Sequence, residues 1–88
     1  VDVKDLKYFV AAYEARSFSA ATTALGTVQS NVSLRIRNLE GFLGVPLFVR
    51  MRRTVIPTSH GEVLYRHAKH VIATMDETER AVRPNRVA

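Results

Sequence analysis

The chain has 88 residues, 47% of them apolar, no cysteine and a formal net charge of +5. That length holds one small domain with a core near the lower limit of independent stability, which leaves a place for help from a partner chain. The lack of cysteine excludes disulfide frameworks, thiolate metal sites and cysteine nucleophiles, and the lack of an apolar run of about 18 residues excludes a membrane-spanning helix.

The first predicted element is a helix from about Val3 to Ala15: Leu6, Phe9, Val10 and Tyr13 recur at i, i+3, i+4 and i+7, and Asp2 precedes them as N-cap. The same opening, VDVKDLKYFV, lacks the basic-then-apolar order of a signal peptide, so the expected location is the cytoplasm. The stretch RSFSAATTALG offers Ser17 or Ser19 as a cap, small residues at Ala20, Ala21 and Ala24, and Gly26 as a left-handed stop. It predicts a short second helix that another helix can approach closely. Only GTV separates it from the next periodic run, which fits a tight corner between two steeply crossing helices.

The third helix takes its core from Val32, Ile36, Leu39 and Leu43 and stops at Gly44. At about 100° per residue those four lie along one line, while Ser30, Leu34, Arg37 and Gly41 fall on the opposite side of the helix. The stretch VPLFVRMRRTVIPT then changes period. Val45, Leu47 and Val49 alternate, Arg50 to Arg53 form a basic tip, and Thr54, Val55 and Ile56 return, predicting a two-stranded hairpin with Pro57 at an edge or strand end. Between Thr27 and Thr58 stand five arginines (Arg35, Arg37, Arg50, Arg52, Arg53) and one acid (Glu40), so this segment holds four of the five net positive charges. Such concentration is the footprint of a polyanionic partner.

From Ser59 to about Arg83 the pattern is helical again, with Leu64, Ala68, Val71, Met75, Thr78 and Val82 forming a heptad stripe. Ser59 with Glu62 predicts a capping-box start, and Pro84 ends the helix. Three short helices cannot cover the whole stripe, so a second copy of the chain is the expected cover, and those six residues the expected dimer interface. The expected organisation is a mainly α winged helix-turn-helix of three short helices plus a two-stranded wing over residues 1–58, a long dimerising linker helix over 59–83, and the start of a hinge over 84–88.

In a winged helix-turn-helix the second helix of the corner enters the DNA major groove, about 12 Å wide, which admits a helix whose outward residues are short. Ser30 and Ser33 meet that condition. Gln29 can make a paired bond to adenine, Ser33 can serve base or phosphate, and Arg35 and Arg37 reach guanine edges or flanking phosphates. Leu34 is an unexplained apolar side chain in solvent but gains contact against a thymine methyl.

The segments LKYFVAAYEARSFSAATTAL, VQSNVSLRIRNLE, LGVPLF and TSHG resemble the N-terminal DNA-binding domain of LysR-type transcriptional regulators of bacteria, over the span from about Leu6 to the end of the long helix. The resemblance implies sequence-specific binding to a double-stranded operator with two-fold symmetric half-sites, the third helix in the major groove and the basic wing at the minor groove. Carried over by position, it implies base reading by Gln29, Ser30, Ser33 and Leu34, a wing residue at or near Arg53 in the minor groove, and backbone contacts from Thr27 or Val28, Arg50 and Thr58. It further implies a homodimer through the linker helix, a tetramer in the full-length protein, and a small-molecule inducer bound only by a separate C-terminal domain, with no cofactor in this segment. The chain departs from the family at three reading-helix positions: Val28 stands where serine is usual, Ser30 where proline is, and Leu34 where arginine is. Thr27 is expected to replace the usual cap one residue early, and the altered reading face implies an altered base preference. Pro57 replaces a usual leucine, and the wing lacks its common glycine.

Other classes fit less well. His67 and His70 share a helix face at i,i+3 and His60 lies near the helix start, yet nothing completes a metal site with them, and no metal is expected. No Ser-His-Asp order, glycine-rich phosphate loop or paired carboxylates point to an enzyme. A winged helix that binds protein without DNA is the better rival, but such a domain has no need of the basic wing.

Overall fold

Side chains at the helix ends set most element boundaries in this computed structural model, which describes residues 1–84. Helix α1 (Val3–Ala15) starts at Asp2, whose carboxylate accepts the Asp5 N–H at 2.8 Å while the Asp5 carboxylate accepts the Asp2 N–H at 3.2 Å. That backbone bond from Asp5 holds the Asp2 carboxyl below its ordinary range. The helix stops at Arg16, a non-glycine residue in the left-handed region at φ 54°, a conformation that costs about 1–2 kcal/mol. The Arg16 carbonyl accepts the Val55 N–H at 3.0 Å and the Thr54 hydroxyl at 2.6 Å, so the strained corner anchors the hairpin.

Helix α2 (Phe18–Leu25) is capped by Ser17, whose hydroxyl accepts the Ala20 N–H at 3.1 Å, and ends at Gly26 with φ 65°. Helix α3 (Gln29–Leu43) follows with Val28 at the N-cap position and no side-chain acceptor there. The expected cap from Thr27 is not made. Its hydroxyl accepts the Asn31 side-chain amide at 3.0 Å, and that amide also donates to the Tyr8 hydroxyl at 3.0 Å.

The hairpin pairs β1 (Phe48–Arg50) with β2 (Val55–Pro57) in antiparallel register, Phe48 opposite Pro57, Val49 opposite Ile56 and Arg50 opposite Val55. It is shorter than the alternation from Val45 predicts, because the Glu40 carboxylate takes the Leu47 N–H at 2.7 Å and the Phe48 N–H at 3.3 Å. Pro57 sits at the strand end, where no ladder donor is needed.

Helix α4 (Ser59–Val82) is capped one residue earlier than Ser59. The Thr58 hydroxyl accepts the Gly61 N–H at 3.1 Å and donates to the Pro46 carbonyl at 2.7 Å. The predicted box partner Glu62 instead accepts the Tyr13 hydroxyl. Gly61 is buried against the chain entering β1, and a Cβ there would run into the Leu47 carbonyl. Of the predicted hinge at 84–88, residues 85–88 lie outside the described residues.

The core gathers Phe9, Val32, Ile36 and Leu47, all fully buried, with Phe48 between Phe9 and Phe18 at ring-centroid distances of 5.3 Å and 5.7 Å. Several core assignments from periodicity change. Leu43 is 40% exposed, because it closes α3 at the Gly44 turn, past the packed elements. Val10 and Tyr13 are half-buried, while Tyr8 and Ala12 are buried, since α1 packs against α2, α3 and α4 and buries more than one stripe. Of the three alanines in α2, only Ala21 is buried.

The heptad stripe of α4 divides in two. Leu64 is half-buried on the chain's own core and Ala68 is buried within the chain, whereas Val71 and Met75 are 41% and 40% exposed and Val82 is 78% exposed. At about 1.5 Å per residue α4 runs about 36 Å, which gives the molecule its long axis of 53 Å against 25 and 18 Å.

Candidate nucleic-acid interface

The corner Gly26–Thr27–Val28 delivers the start of α3 to the surface, and the Asn31 amide pins that first turn to α1 through Tyr8. No side chain caps the first turn of α3, and an uncapped helix start favours anionic partners. Gln29, Ser30, Leu34 and Arg37 are exposed beside it, and Ser33 is half-exposed. Leu34 keeps 49% of its surface open, so the outward leucine expected from the helical spacing is present.

Arg50 comes from the wing and bridges to this face. Its guanidinium donates to the Ser33 hydroxyl at 3.3 Å and lies over the Phe18 ring at 4.7 Å. The wing and the reading face are thus one continuous surface. Between them lies a cleft of about 320 Å³, whose walls include Ser17, Ser19, Gln29, Arg50, Arg52 and Arg53. Met51 also lines the cleft, a residue to which the sequence assigns no role; Ser17 and Ser19 enter the sequence reading only as candidate caps, and Thr54 only as part of the returning strand. The usable signal was the pair of serines opening a short helix directly before a tight corner.

Charge on this surface is uncompensated. Arg37, Arg52 and Arg53 make no ion pair among the described residues, and Glu40, the single acid of the segment, spends its carboxylate on backbone amides of the hairpin. Two expected contacts lie elsewhere. Arg35 pairs with Asp5 at 2.9 Å and stacks over Tyr8 at 4.9 Å, so it is committed to α1 because its position on α3 faces that helix. Thr58 spends its hydroxyl on the α4 cap and its N–H on the Leu47 carbonyl, which leaves it no free donor. Thr27 is half-buried with its hydroxyl engaged, and Val28, 64% exposed, has only backbone polarity to offer. Among the described residues no three of His, Cys, Asp or Glu gather as a metal cluster, and no helix is long and apolar enough to cross a membrane.

Comparison with known proteins addresses the same elements. Residues 3–62 match the family model described as bacterial regulatory helix-turn-helix protein, lysR family. The chain is 39% identical over 82 residues to the HTH-type transcriptional regulator YofA of Bacillus subtilis, covering 93% of this chain and 29% of that protein. It is 38% identical over 81 residues to the Hca operon transcriptional activator HcaR of Escherichia coli, covering 92% of this chain and 26% of that protein. The chain therefore spans less than a third of these curated relatives. Among solved structures, the fold is similar to a CbnR DNA-binding domain–DNA complex, with TM-score 0.83, 29% identity, and coverage of 94% of this chain and 100% of that one. It is also similar to the BenM DNA-binding domain in complex with benA site 1 DNA, with TM-score 0.87, 33% identity, and coverage of 92% and 94%. On the matched family model and the winged helix-turn-helix it folds into, this chain belongs to the lysR family of bacterial regulatory helix-turn-helix proteins.

Proposed function

We propose that this chain is the operator-reading segment of a bacterial transcription regulator, with α3 in the major groove and the wing at the minor groove. The observation that carries the reading is the single surface on which the uncapped start of α3, its short outward side chains and the unpaired arginines of the wing meet. Gln29, Ser30, Ser33, Leu34 and Arg37 then read bases. Arg50, Arg52 and Arg53, with the cleft serines and the opening amides of α3, hold the backbone. Arg35 and Thr58 leave the contact set, because their polar groups are already engaged. The similar CbnR and BenM DNA-binding domains, each solved in complex with DNA, support the same assignment.

A homodimer completes the reading, with the bare part of the α4 stripe, Val71, Met75, Thr78 and Val82, as its interface and two-fold symmetric half-sites as its DNA. Leu64 and Ala68 then contribute to that interface less than periodicity alone expects. In the whole protein, a tetramer, a cytoplasmic location and an inducer held by a further domain belong to the same proposal. A protein-binding winged helix without DNA finds no support in a surface with three unpaired arginines.

The test is binding to a site selected from a random duplex pool, followed across salt. Gln29→Ala should cost about 1–3 kcal/mol on the selected site and little on random DNA, while Arg53→Ala should weaken both and reduce the log–log salt slope by about one. Equal losses for Gln29→Ala on selected and random DNA would overturn base reading by this face.

A further inference from the structure

The contact between α1 and α4 carries more polar apparatus than packing alone requires. The Tyr13 and Tyr65 rings stack with centroids 3.7 Å apart and planes 9° from parallel. Each hydroxyl then crosses to the opposite helix: Tyr13 on α1 donates to Glu62 on α4 at 2.5 Å, and Tyr65 on α4 donates to Glu14 on α1 at 2.6 Å. Lys69, one turn further along α4, reaches the same Glu14 carboxylate at 3.4 Å. On the α1 side, Arg16 covers the Tyr13 ring at 4.8 Å.

Each helix is thus both donor and acceptor, with a flat aromatic contact between the bonds. One attachment would let α4 rock on α1; several, spread from Glu62 to Lys69, restrict both tilt and sliding. These groups lie at the surface, where single hydrogen bonds add little to stability. What they fix is a direction. Beyond Lys69, α4 continues to Val82, an arm of about 20 Å at 1.5 Å per residue. Tilting such an arm by about 10° moves its end by about 3.5 Å, close to one base-pair rise of about 3.4 Å.

We propose that the crossed Tyr13–Glu62 and Tyr65–Glu14 pairs are a positioning device that sets the angle of α4 on the reading head and so selects the spacing between the two half-sites. The inference rests on the proposed dimer. It adds that spacing specificity resides in residues that touch neither DNA nor the partner chain. The shifts at the tyrosines and at Glu14 agree with the arrangement: both hydroxyls are pushed above their ordinary range by donating to carboxylates, and Glu14 is held below its own, first by the Tyr65 bond.

The experiment compares the chain with Tyr13→Phe/Tyr65→Phe, which keeps both rings and removes both bonds, and with Glu14→Ala/Glu62→Ala, which removes the acceptors instead. Each is bound to a single half-site and to a series of paired half-sites whose spacer changes by one base pair at a time, at a temperature where circular dichroism shows it folded. The expected result is a sharp spacing optimum for the unsubstituted chain. In both variants the preference for that optimum over its one-step neighbours should fall about fivefold or more, with single-half-site affinity unchanged within about twofold. Variants that keep the full optimum would overturn the positioning role while leaving the dimer intact. An unsubstituted chain indifferent to spacing would overturn the two-headed reading, and this inference with it.

Discussion

The two halves of α4 carry one heptad pattern and meet opposite fates. In the inner half, Leu64 packs on the chain's own core, Ala68 is buried within the chain, and Gly61 lets the helix start press against the chain entering β1. In the outer half, Val71, Met75 and Val82 continue the stripe with nothing over them among the described residues. A periodic stripe therefore specifies which face will be covered, and not by what. The inner half answers to folding and the outer half to association, and substitutions should separate them.

The largest effect is expected at the anchor. Gly61→Ala forces a methyl group into the Leu47 carbonyl and should cost about 3 kcal/mol or more, read as a lower thermal midpoint at every protein concentration. A normal midpoint would mean that the close approach is relaxed at no cost. Next, Leu64→Ala and Met75→Glu should part company. The first should lose about 1.5 kcal/mol independently of concentration, below the range of about 2–5 kcal/mol for fully buried leucines because this side chain is half-exposed. The second should leave the dilute chain as stable as before and raise the dimer dissociation constant by about tenfold or more, measured by sedimentation across concentration. Identical behaviour of the two would erase the division of the helix.

The smallest effect is one of pH and sharpens the inner half alone. Tyr13 and Tyr65 have folded values above the ordinary 10.0, so the stability they contribute is complete below that pH and is lost as pH rises through the higher folded values. Glu14 has a folded value below the ordinary 4.5, so its contribution is present above that pH and disappears as pH falls through the lower folded value. Thermal midpoints of Tyr13→Phe/Tyr65→Phe should therefore fall less steeply than those of the unsubstituted chain as pH rises beyond 10.0.

Much of the reading corner was legible because it depends on local chemistry. Asp2 capping α1, Gly26 and Gly44 ending helices in the left-handed region, and Leu34 facing outward all follow from spacing and residue type. The misses share a cause. The capping by Thr58 in place of Ser59, the diversion of Glu62 to Tyr13 and the pairing of Arg35 with Asp5 all join groups remote in sequence or choose among adjacent candidates. Arg35 and Arg37 look alike in the chain, yet only Arg35 lies on the side of α3 that meets α1.

The sequence by itself determined the order of elements, the outward face of α3 and the basic wing, since periodicity, capping chemistry and charge act over a few residues. Tertiary structure alone decided which arginines stay free, how far the heptad stripe is covered within the chain, and the tyrosine–glutamate crossing between α1 and α4. Those outcomes depend on which surfaces the packed helices bring within hydrogen-bonding reach, a distance set by the whole fold rather than by neighbours along the chain.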